Sequence, residues 1–279
     1  MKMPKALSPI IIIAKYTIGD EVRQKSFIVM FVICALFVFM VRGCYKGDYM
    51  VNGQEVEAGK VIIMVSTITF HVIAVGLMFL AGLLAMRIFR RDRDDGTQSC
   101  ILSKPITRWQ YVTGKILGLW ILLMVFMFVL HGIVFIITSM KLNVVMPEYL
   151  LASMLCSLNL FFVIVTVLLL SLAMPDIVAL LCIIGIGIFG LVADGIYAMS
   201  HTPMGQAMMQ QHTQSDFTIW QIIYYLWPKL SGAQSFASSF IGAEGFGELA
   251  TVYPIMNIFV YCIILGALLF WRFRQEDIT

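Results

Sequence analysis

The sequence has little charge for its length. Only 13% of its 279 residues are Asp, Glu, Lys or Arg, and 60% are hydrophobic, whereas ordinary soluble domains have roughly a quarter of their residues charged. This balance excludes a soluble globular domain and predicts a single integral membrane domain over residues 1–279. The net charge of +3 says little about partners, because the position of Lys and Arg matters more than their sum in such a chain. No nucleic-acid partner is expected.

The sequence also lacks the common catalytic and cofactor motifs. It has no GxxxxGK[ST] phosphate loop, no HExxH and no GxSxG, so we expect neither an enzyme nor a cofactor bound by this chain. Its six cysteines show no CxxC pair and no neighbouring histidine spacing. Small buried hydrophobic residues are the simpler interpretation of these cysteines, ahead of metal ligands or disulfides.

Long apolar runs are what the sequence has in abundance. A bilayer core of about 30 Å needs about 20 apolar residues in a helix, because unpaired backbone groups are costly in hydrocarbon. Six segments reach this length, which predicts an all-α membrane protein with six transmembrane helices. A seventh segment, 9–25, mixes a short apolar face with charges and is expected to be an amphipathic helix along the membrane surface. The predicted spans are 26–44, 61–86, 116–140, 150–174, 177–199 and 254–271.

The basic residues predict the orientation. With six spans both termini lie on one side, and 14 of the 19 Lys and Arg fall on that side: five in the N-terminal segment, seven in 87–115 and two in the tail. The positive-inside rule therefore places both termini and the 87–115 loop in the cytoplasm. The expected location is the inner membrane of the cell.

The longest connection on the opposite side is the outer loop, 200–253. Its aromatic stretch Phe217–Leu230 is too short to cross the bilayer, which predicts an outer re-entrant or interfacial segment before the last span. An aromatic belt that only anchors the chain is the alternative. Methionine and histidine side chains in this loop suit copper, but with 19 methionines in the chain surface packing explains them more simply, so no metal is expected. The copper-type side chains are His201, Met204, Met208 and His212.

Two histidines lie deep in predicted spans. His71 and His131 are each about nine or ten residues from the outer end of a span, so at about 1.5 Å per residue both lie ~14–15 Å deep. They can share a layer. Satisfied interior histidines are the ordinary interpretation, and an intramembrane substrate or proton site is the alternative.

The loop between the second and third spans is the most distinctive stretch. Nine of the 35 charged residues lie between Arg90 and Lys115. The string "RRDRDDGTQSCILSKPITRWQYVTGKILG" resembles the signature region of ABC-2 type permeases, including the NosY-like six-span proteins. The family commonly has Glu before Gly-Thr, where this chain has Asp. The matching positions are Asp94, Asp95, Gly96, Thr97, Leu102, Ser103, Pro105, Ile106, Thr107, Arg108, Trp109, Gly114 and Lys115.

The resemblance implies a half-transporter. In this family the permease pairs with a second copy, two ATP-binding subunits supply ATP and Mg, and the loop between spans two and three is the coupling element. On this resemblance, the residues expected to contact the ATP-binding subunit are Arg93, Asp94, Asp95, Gly96, Thr97, Ser103, Lys104, Pro105, Thr107, Arg108 and Trp109.

Local signals within the loop predict two helices. Thr97 or Asp95 can cap a short helix, "QSCILSK", which Pro105 ends. Thr107 can start the next helix, with Trp109 and Tyr111 at the membrane interface. A short amphipathic helix between charged flanks can fill a groove on a soluble partner.

The predicted function is that of a permease subunit of an ATP-driven ABC transporter. Few polar groups line the spans, which favours export of a hydrophobic or amphiphilic cargo, or force transmission to an accessory protein on the outer side. Membrane lipid is the other expected partner. The alternatives are an ATP-independent membrane scaffold or assembly factor, and an ion-coupled carrier that uses His71 and His131.

Overall fold

The computed structural model describes residues 7–44, 50–51, 54–55, 58–200, 224–241 and 252–275. In this part of the chain the only strands are Met50–Val51 and Gln54–Glu55, which pair antiparallel; nearly everything else is helical, so the predicted all-α fold is confirmed. The helices are α1 (Leu7–Val22), α2 (Lys25–Cys44), α3 (Ala58–Ala85), α4 (Ile88–Asp94), α5 (Thr97–Leu102), α6 (Arg108–Leu142), α7 (Glu148–Ser171), α8 (Asp176–Ser200), α9 (Leu230–Ser238) and α10 (Tyr253–Gln275).

Five helical stretches are long and apolar enough to cross a membrane on their own. The N-terminal pair α1 and α2 reaches this standard only together, as Pro9–Val22 and Phe27–Met40 joined at a bend of 68°. The chain is therefore a multi-pass membrane protein with five candidate spans, or six if the bent pair is one span. The five are Gly59–Asp94, Arg108–Leu142, Glu148–Ser171, Asp176–Tyr197 and Tyr253–Gln275.

α7 lies at the centre of the bundle. It contacts α3, α6, α9 and α10, and 14 of its 24 residues are buried. The peripheral helices α8 and α10 are less buried. In each of them, only 22% of the most apolar stretch is buried. A helix that is apolar all round but half-exposed must meet lipid or another protein on its open face.

The first helix, α1, is clamped against the start of α6 by two glycines. A Cβ placed on Gly114 would lie 2.7 Å from Cβ of Ile13, and one placed on Gly118 would lie 2.7 Å from the carbonyl oxygen of Ala14. Only glycine permits this approach, and glycines four residues apart face the same neighbour. α1 and the first turns of α6 are therefore one packed unit. The buried face of α1 is Ile10, Ile13, Ala14, Thr17 and Glu21.

The segment before the last span turns back into the bundle. Asn159 Nδ2 donates to the carbonyl oxygen of Leu230 at 3.0 Å, and Gln234 Nε2 donates to the carbonyl oxygen of His71 at 3.0 Å. Asn159 is 11 residues inside α7 and His71 is 13 residues inside α3, depths of roughly 17–20 Å along each helix. α9 is thus a re-entrant helix that enters from the end opposite the 87–115 loop.

Candidate functional site

The 87–115 loop is largely helical. It contains α4, α5 and the first two turns of α6. Asp95 and Gly96 separate α4 from α5, and the φ of Gly96 is +66°, a left-handed conformation that glycine adopts without strain. The tip between α4 and α6 is open to solvent and carries charges of both signs. Its exposed residues include Arg93, Asp94, Asp95, Thr97, Ser103, Lys104, Pro105 and Thr107.

The predicted ends of the two helices are partly right. α6 begins after Thr107, whose N–H donates to Oε1 of Gln110 at 3.0 Å as one half of a capping box. The predicted cap of α5 is wrong: neither Thr97 nor Asp95 caps it, because the cap position is Gly96, with no side-chain hydrogen bond. This helix therefore starts at the left-handed backbone turn of Gly96, without a side chain that caps it.

A buried ion pair anchors α4 to α6. Asp92 shares the buried face of α4 with Ile88 and Phe89. Its Oδ2 lies 2.6 Å from Nζ of Lys115, and the two side chains are 4% and 3% exposed. Tyr111 Oη also donates to Asp92. Tyr111, which we predicted at the membrane interface, is fully buried in the protein, and its hydroxyl satisfies this carboxylate.

The two residues before Asp92 reach two other helices. Arg91 Nη2 lies 2.7 Å from Oε1 of Glu21, which is fully buried in α1. Arg90 Nη1 lies 3.1 Å from Oδ2 of Asp176 at the start of α8. The Arg90 side chain is 65% exposed, so this last pair contributes little energy. Three consecutive residues of α4 therefore contact α8, α1 and α6.

The base of the loop also holds the end of the last helix. Arg108 Nη1 donates to the carbonyl oxygens of Arg274 at 2.8 Å and of Phe273 at 3.4 Å. Carbonyls in the last turn of a helix have no intrahelical partner, so Arg108 caps α10. The Phe273 ring packs beside Phe89 and Tyr111, with centroid distances of 5.1 and 5.8 Å. Trp109, next to Arg108, is 49% exposed.

The two predicted intramembrane histidines lie near one another without touching. The ring of His131 is fully buried, stacks on Phe70 at 4.5 Å and has Nδ1 2.8 Å from Oγ of Ser153. The ring of His71 meets the edge of Phe70 at 5.8 Å. Within the described ranges no hydrogen bond joins the two imidazoles, and the phenyl ring of Phe70 contacts both.

The copper-type residues His201, Met204, Met208 and His212 all lie outside the described residues. Among the residues that the structure does describe, no group of three or more His, Cys, Asp or Glu side chains is placed to hold a metal ion.

A polar cluster near the outer end of α8 was not predicted from the sequence. Lys229 Nζ lies 3.2 Å from Oδ1 of Asp194 and 2.8 Å from the ring centroid of Tyr224, and Ser231 Oγ donates to the other oxygen of Asp194. Burial lowers the pKa of Lys229, and the Asp194 carboxylate opposes that shift. The sequence signals for this cluster are an acidic residue near the end of α8 and a single lysine after Pro228.

An apolar cavity of about 290 Å³ lies next to this cluster. α3, α7, α8 and the re-entrant α9 enclose it, and Ser231 and Gln234 supply its polar groups. The apolar lining is Val75, Met78, Phe79, Val163, Leu180, Ile183, Ile184, Gly187, Ile188, Leu191 and Leu230.

Comparison with known families agrees with this architecture. No curated protein shows a significant match to the chain. The family model described as "ABC-2 family transporter protein" matches residues 11–278, nearly the whole chain. ABC-2 permeases are membrane subunits that generally pair with a separate ABC ATP-binding subunit. The chain therefore belongs to the ABC-2 family of transporter proteins and is the membrane-embedded permease of an ABC transporter.

Proposed function

We propose that the chain couples ATP hydrolysis on a separate subunit to movement of its own helices, through the 87–115 loop. The observation that carries the proposal is the contrast within the loop. Its tip is exposed and charged, whereas the adjoining α4 is fixed by buried ion pairs to α1 and α6. A rigid lever with a free end suits force transmission better than a solvated connection does.

The docking surface in this proposal is the tip, from Arg93 to Pro105. α5 presents a short exposed face between Arg93 and Lys104, and opposite charges on a partner groove would set its orientation. Arg108 and Trp109 lie at the base of the loop, against α10. ATP and Mg belong to the partner, and this chain supplies no cofactor.

Movement of the tip reaches the bundle through α4. A displaced α4 takes α6 with it through Asp92 and Lys115, and takes α1 through Arg91 and Glu21. Buried pairs of this kind are costly to break, so the contacts shift as a unit instead of separating. Because α1 is also clamped on Gly114 and Gly118, α1, α4 and the start of α6 move together.

The assembly we propose is a homodimer with two ATP-binding subunits, with both termini in the cytoplasm and the protein in the inner membrane. Large apolar side chains cover the open face of α8, including Leu181, Ile188 and Leu191, each between 57% and 60% exposed. A second copy packed there would bury this face. The sidedness rests on the 14 basic residues predicted at the loop end.

The cargo we propose is hydrophobic or amphiphilic. The cavity beside α9 is lined mostly by aliphatic side chains, and it has two polar groups, Ser231 and Gln234, at one edge. Such a site accepts an apolar chain that ends in a polar group. The re-entrant α9 also offers a route for force to reach an outer accessory protein.

The test purifies the chain with a co-expressed ABC ATP-binding subunit and measures both subunit retention and Mg-ATP hydrolysis. Lys104→Glu reverses a charge at the exposed tip, and Lys25→Glu reverses an exposed charge at the start of α2 as a matched control. We expect Lys104→Glu to lower retention and stimulated hydrolysis about tenfold, as truncation of a hot spot worth about 1.4 kcal/mol does. Equal behaviour of the two variants would contradict the docking surface.

Two further measurements separate the rival functions. An ATP-binding subunit whose phosphate-loop lysine is replaced should still bind this chain, and the resulting complex should be inactive. Unchanged function of that complex would favour an ATP-independent scaffold. Replacement of both His71 and His131 should leave the pH profile of ATP hydrolysis unchanged; a displaced profile would favour an ion-coupled carrier.

A further inference from the structure

The cavity beside α9 is polar at one end only. Along α8 its lining runs from Leu180 to Leu191, 11 residues or about 16 Å. Its polar lining residues are Ser231 and Gln234, and Ser231 is hydrogen-bonded to Asp194, one turn of α8 beyond Leu191. The polar end is therefore the outer end of the cavity, and the rest of its length is apolar.

Gln234 brings an unused acceptor to this end. The residue is only 5% exposed, and its Nε2 donates to the carbonyl oxygen of His71 at 3.0 Å. Because a carbonyl oxygen can only accept, this bond fixes which end of the amide faces α3. Within the described ranges, no hydrogen bond reaches Oε1 of Gln234. Polar groups of buried residues normally have partners, so an acceptor at the edge of a cavity points to a ligand that donates to it.

Ser231 brings a second acceptor. Its hydroxyl donates to the carboxylate of Asp194, and a hydroxyl has only one hydrogen to donate. Towards a ligand, Ser231 can therefore only accept. Residues three apart on a helix lie on the same face, so the Ser231 and Gln234 side chains stand next to each other at the polar end.

These groups disfavour a charged head group. An anion would meet two acceptor oxygens with the Asp194 carboxylate behind one of them, and Lys229 already supplies the cation for that carboxylate, 3.2 Å away. The carbonyl of His71 is 13 residues inside α3, a depth of ~20 Å, where burial of a charge is costly. A hydroxyl costs less to bury, and it can donate to Oε1 of Gln234 while it accepts from the second amide hydrogen.

We propose that the cavity binds a neutral, long-chain amphiphile whose head group donates a hydrogen bond, such as an alcohol. The head group lies on Gln234 and Ser231, and the hydrocarbon chain follows α8 towards Leu180. This inference rests on the cargo site proposed above and adds the chemical class of the cargo. In the proposed homodimer, a second copy packed on α8 closes the side of the cavity at Ile188 and Leu191.

The test is photolabelling of the full-length chain in phosphatidylcholine nanodiscs. The probes are dodecanol, its methyl ether, dodecyl sulfonate and dodecyl trimethylammonium, each with a diazirine at the middle of the chain, and mass spectrometry locates the label. Labelling near Leu36, which is 60% exposed on α2, measures the concentration of each probe in the membrane. Relative to this reference, we expect the alcohol to label cavity peptides of α3 and α8 about fivefold more than the other probes, the ratio given by one hydrogen bond worth about 1 kcal/mol. Dodecanol without a diazirine should compete.

Substitutions separate the head group from the chain. Gln234→Met keeps the length of the side chain and removes the acceptor, so it should lower labelling by the alcohol about fivefold and leave labelling by the methyl ether unchanged. Ser231→Ala should also lower labelling by the alcohol, whereas Ser235→Ala, outside the cavity lining, should not. Gly187→Leu should abolish cavity labelling by every probe, because a Cβ there projects into open space of the cavity. Gly185→Leu, at an open position outside the lining, is its control.

Contrary results are equally defined. Equal labelling by the alcohol and its methyl ether, or stronger labelling by either charged probe, would overturn the head-group assignment. Unchanged labelling by the alcohol in Gln234→Met would also overturn it, provided that Gly187→Leu removes the labelling. ATP hydrolysis by the complex with an ATP-binding subunit is measured separately. If dodecanol labels the cavity as expected but leaves hydrolysis unchanged, the binding site stands and its role as the cargo site fails.

Discussion

Replacing Lys115 with methionine tests the buried anchor most sharply. The change keeps the length of the side chain and removes its charge. Within the described part of the chain, Asp92 would then keep the Tyr111 hydroxyl as its hydrogen-bond partner, at a site where its side chain is 4% exposed. A carboxylate so placed has little access to water, and the charge of Arg91, which is paired with Glu21, is the cation that still acts on it.

The expected loss follows from this burial. Breaking a buried ion pair by removing one partner costs about 3–5 kcal/mol, because the other charge is left uncompensated. That lowers the ratio of folded to unfolded protein by roughly two to three and a half orders of magnitude. Replacing both partners, as in Asp92→Asn with Lys115→Met, leaves no buried charge. We expect the double variant to be less destabilised than Lys115→Met alone.

The assay is reversible unfolding by sodium dodecyl sulfate in mixed micelles, followed by circular dichroism. Lys141→Met is the matched control, because Lys141 is exposed at the other end of α6 and should lose under about 0.5 kcal/mol. A loss below about 1 kcal/mol for Lys115→Met, or strict additivity in the double variant, would refute the anchor.

Three other substitutions probe the same lever. Gly96→Ala should cost about 1–2 kcal/mol, since alanine resists a φ of +66°, and ATPase stimulation should fall while the chain still folds in the unfolding assay. Gly118→Ala should cost about 1–3 kcal/mol by forcing α1 away at the Ala14 carbonyl; no loss relative to Gly132→Ala in the same assay would count against the clamp. Arg108→Ala should uncap α10 and speed amide hydrogen exchange in its last turn, and unchanged exchange there would show that the cap is unimportant.

The apolar runs made the helices predictable from sequence. Bilayer thickness sets their length, and each predicted span falls on a helix of the structure. The first span differs in form: 26–44 corresponds to α2, which follows α1 at a bend of 68°, and the two helices together make one candidate span. The bend between these helices depends on tertiary contacts, such as that of Glu21 with Arg91, which hydropathy does not encode.

The loop was predictable only in part. Its charges are typical of a solvated connection, and the positive-inside rule does not distinguish buried from exposed charges within such a loop. The structure separates them: Arg93 and Lys104 are exposed, whereas Asp92 and Lys115 are buried together. A closer signal did exist, because Asp92 follows Ile88 and Phe89 at helical spacing. The identity of its partner needed the fold.

The re-entrant α9 shows a different limit. Residues 232–248 are rich in Gly, Ala and Ser, a composition typical of irregular segments, yet Leu230–Ser238 form a helix. Small side chains let that helix fit among α7, α8 and α10, and a Cβ placed on Gly232 would lie 3.0 Å from Cγ of Pro254. Local propensity cannot anticipate such packing, since neighbours supply the polar partners of the segment.

Crosslinking from Cys100 tests the central claim most directly. Cys100 is exposed on α5, so a variant that keeps this cysteine and has alanine at Cys34, Cys44, Cys156, Cys182 and Cys262 carries a photoreactive label on the tip. We predict a crosslink from Cys100 to the ATP-binding subunit, and none when Lys141→Cys carries the label at the other end of α6. Equal crosslinking from both positions, or none from Cys100 in an assembled and ATP-hydrolysing complex, would contradict it.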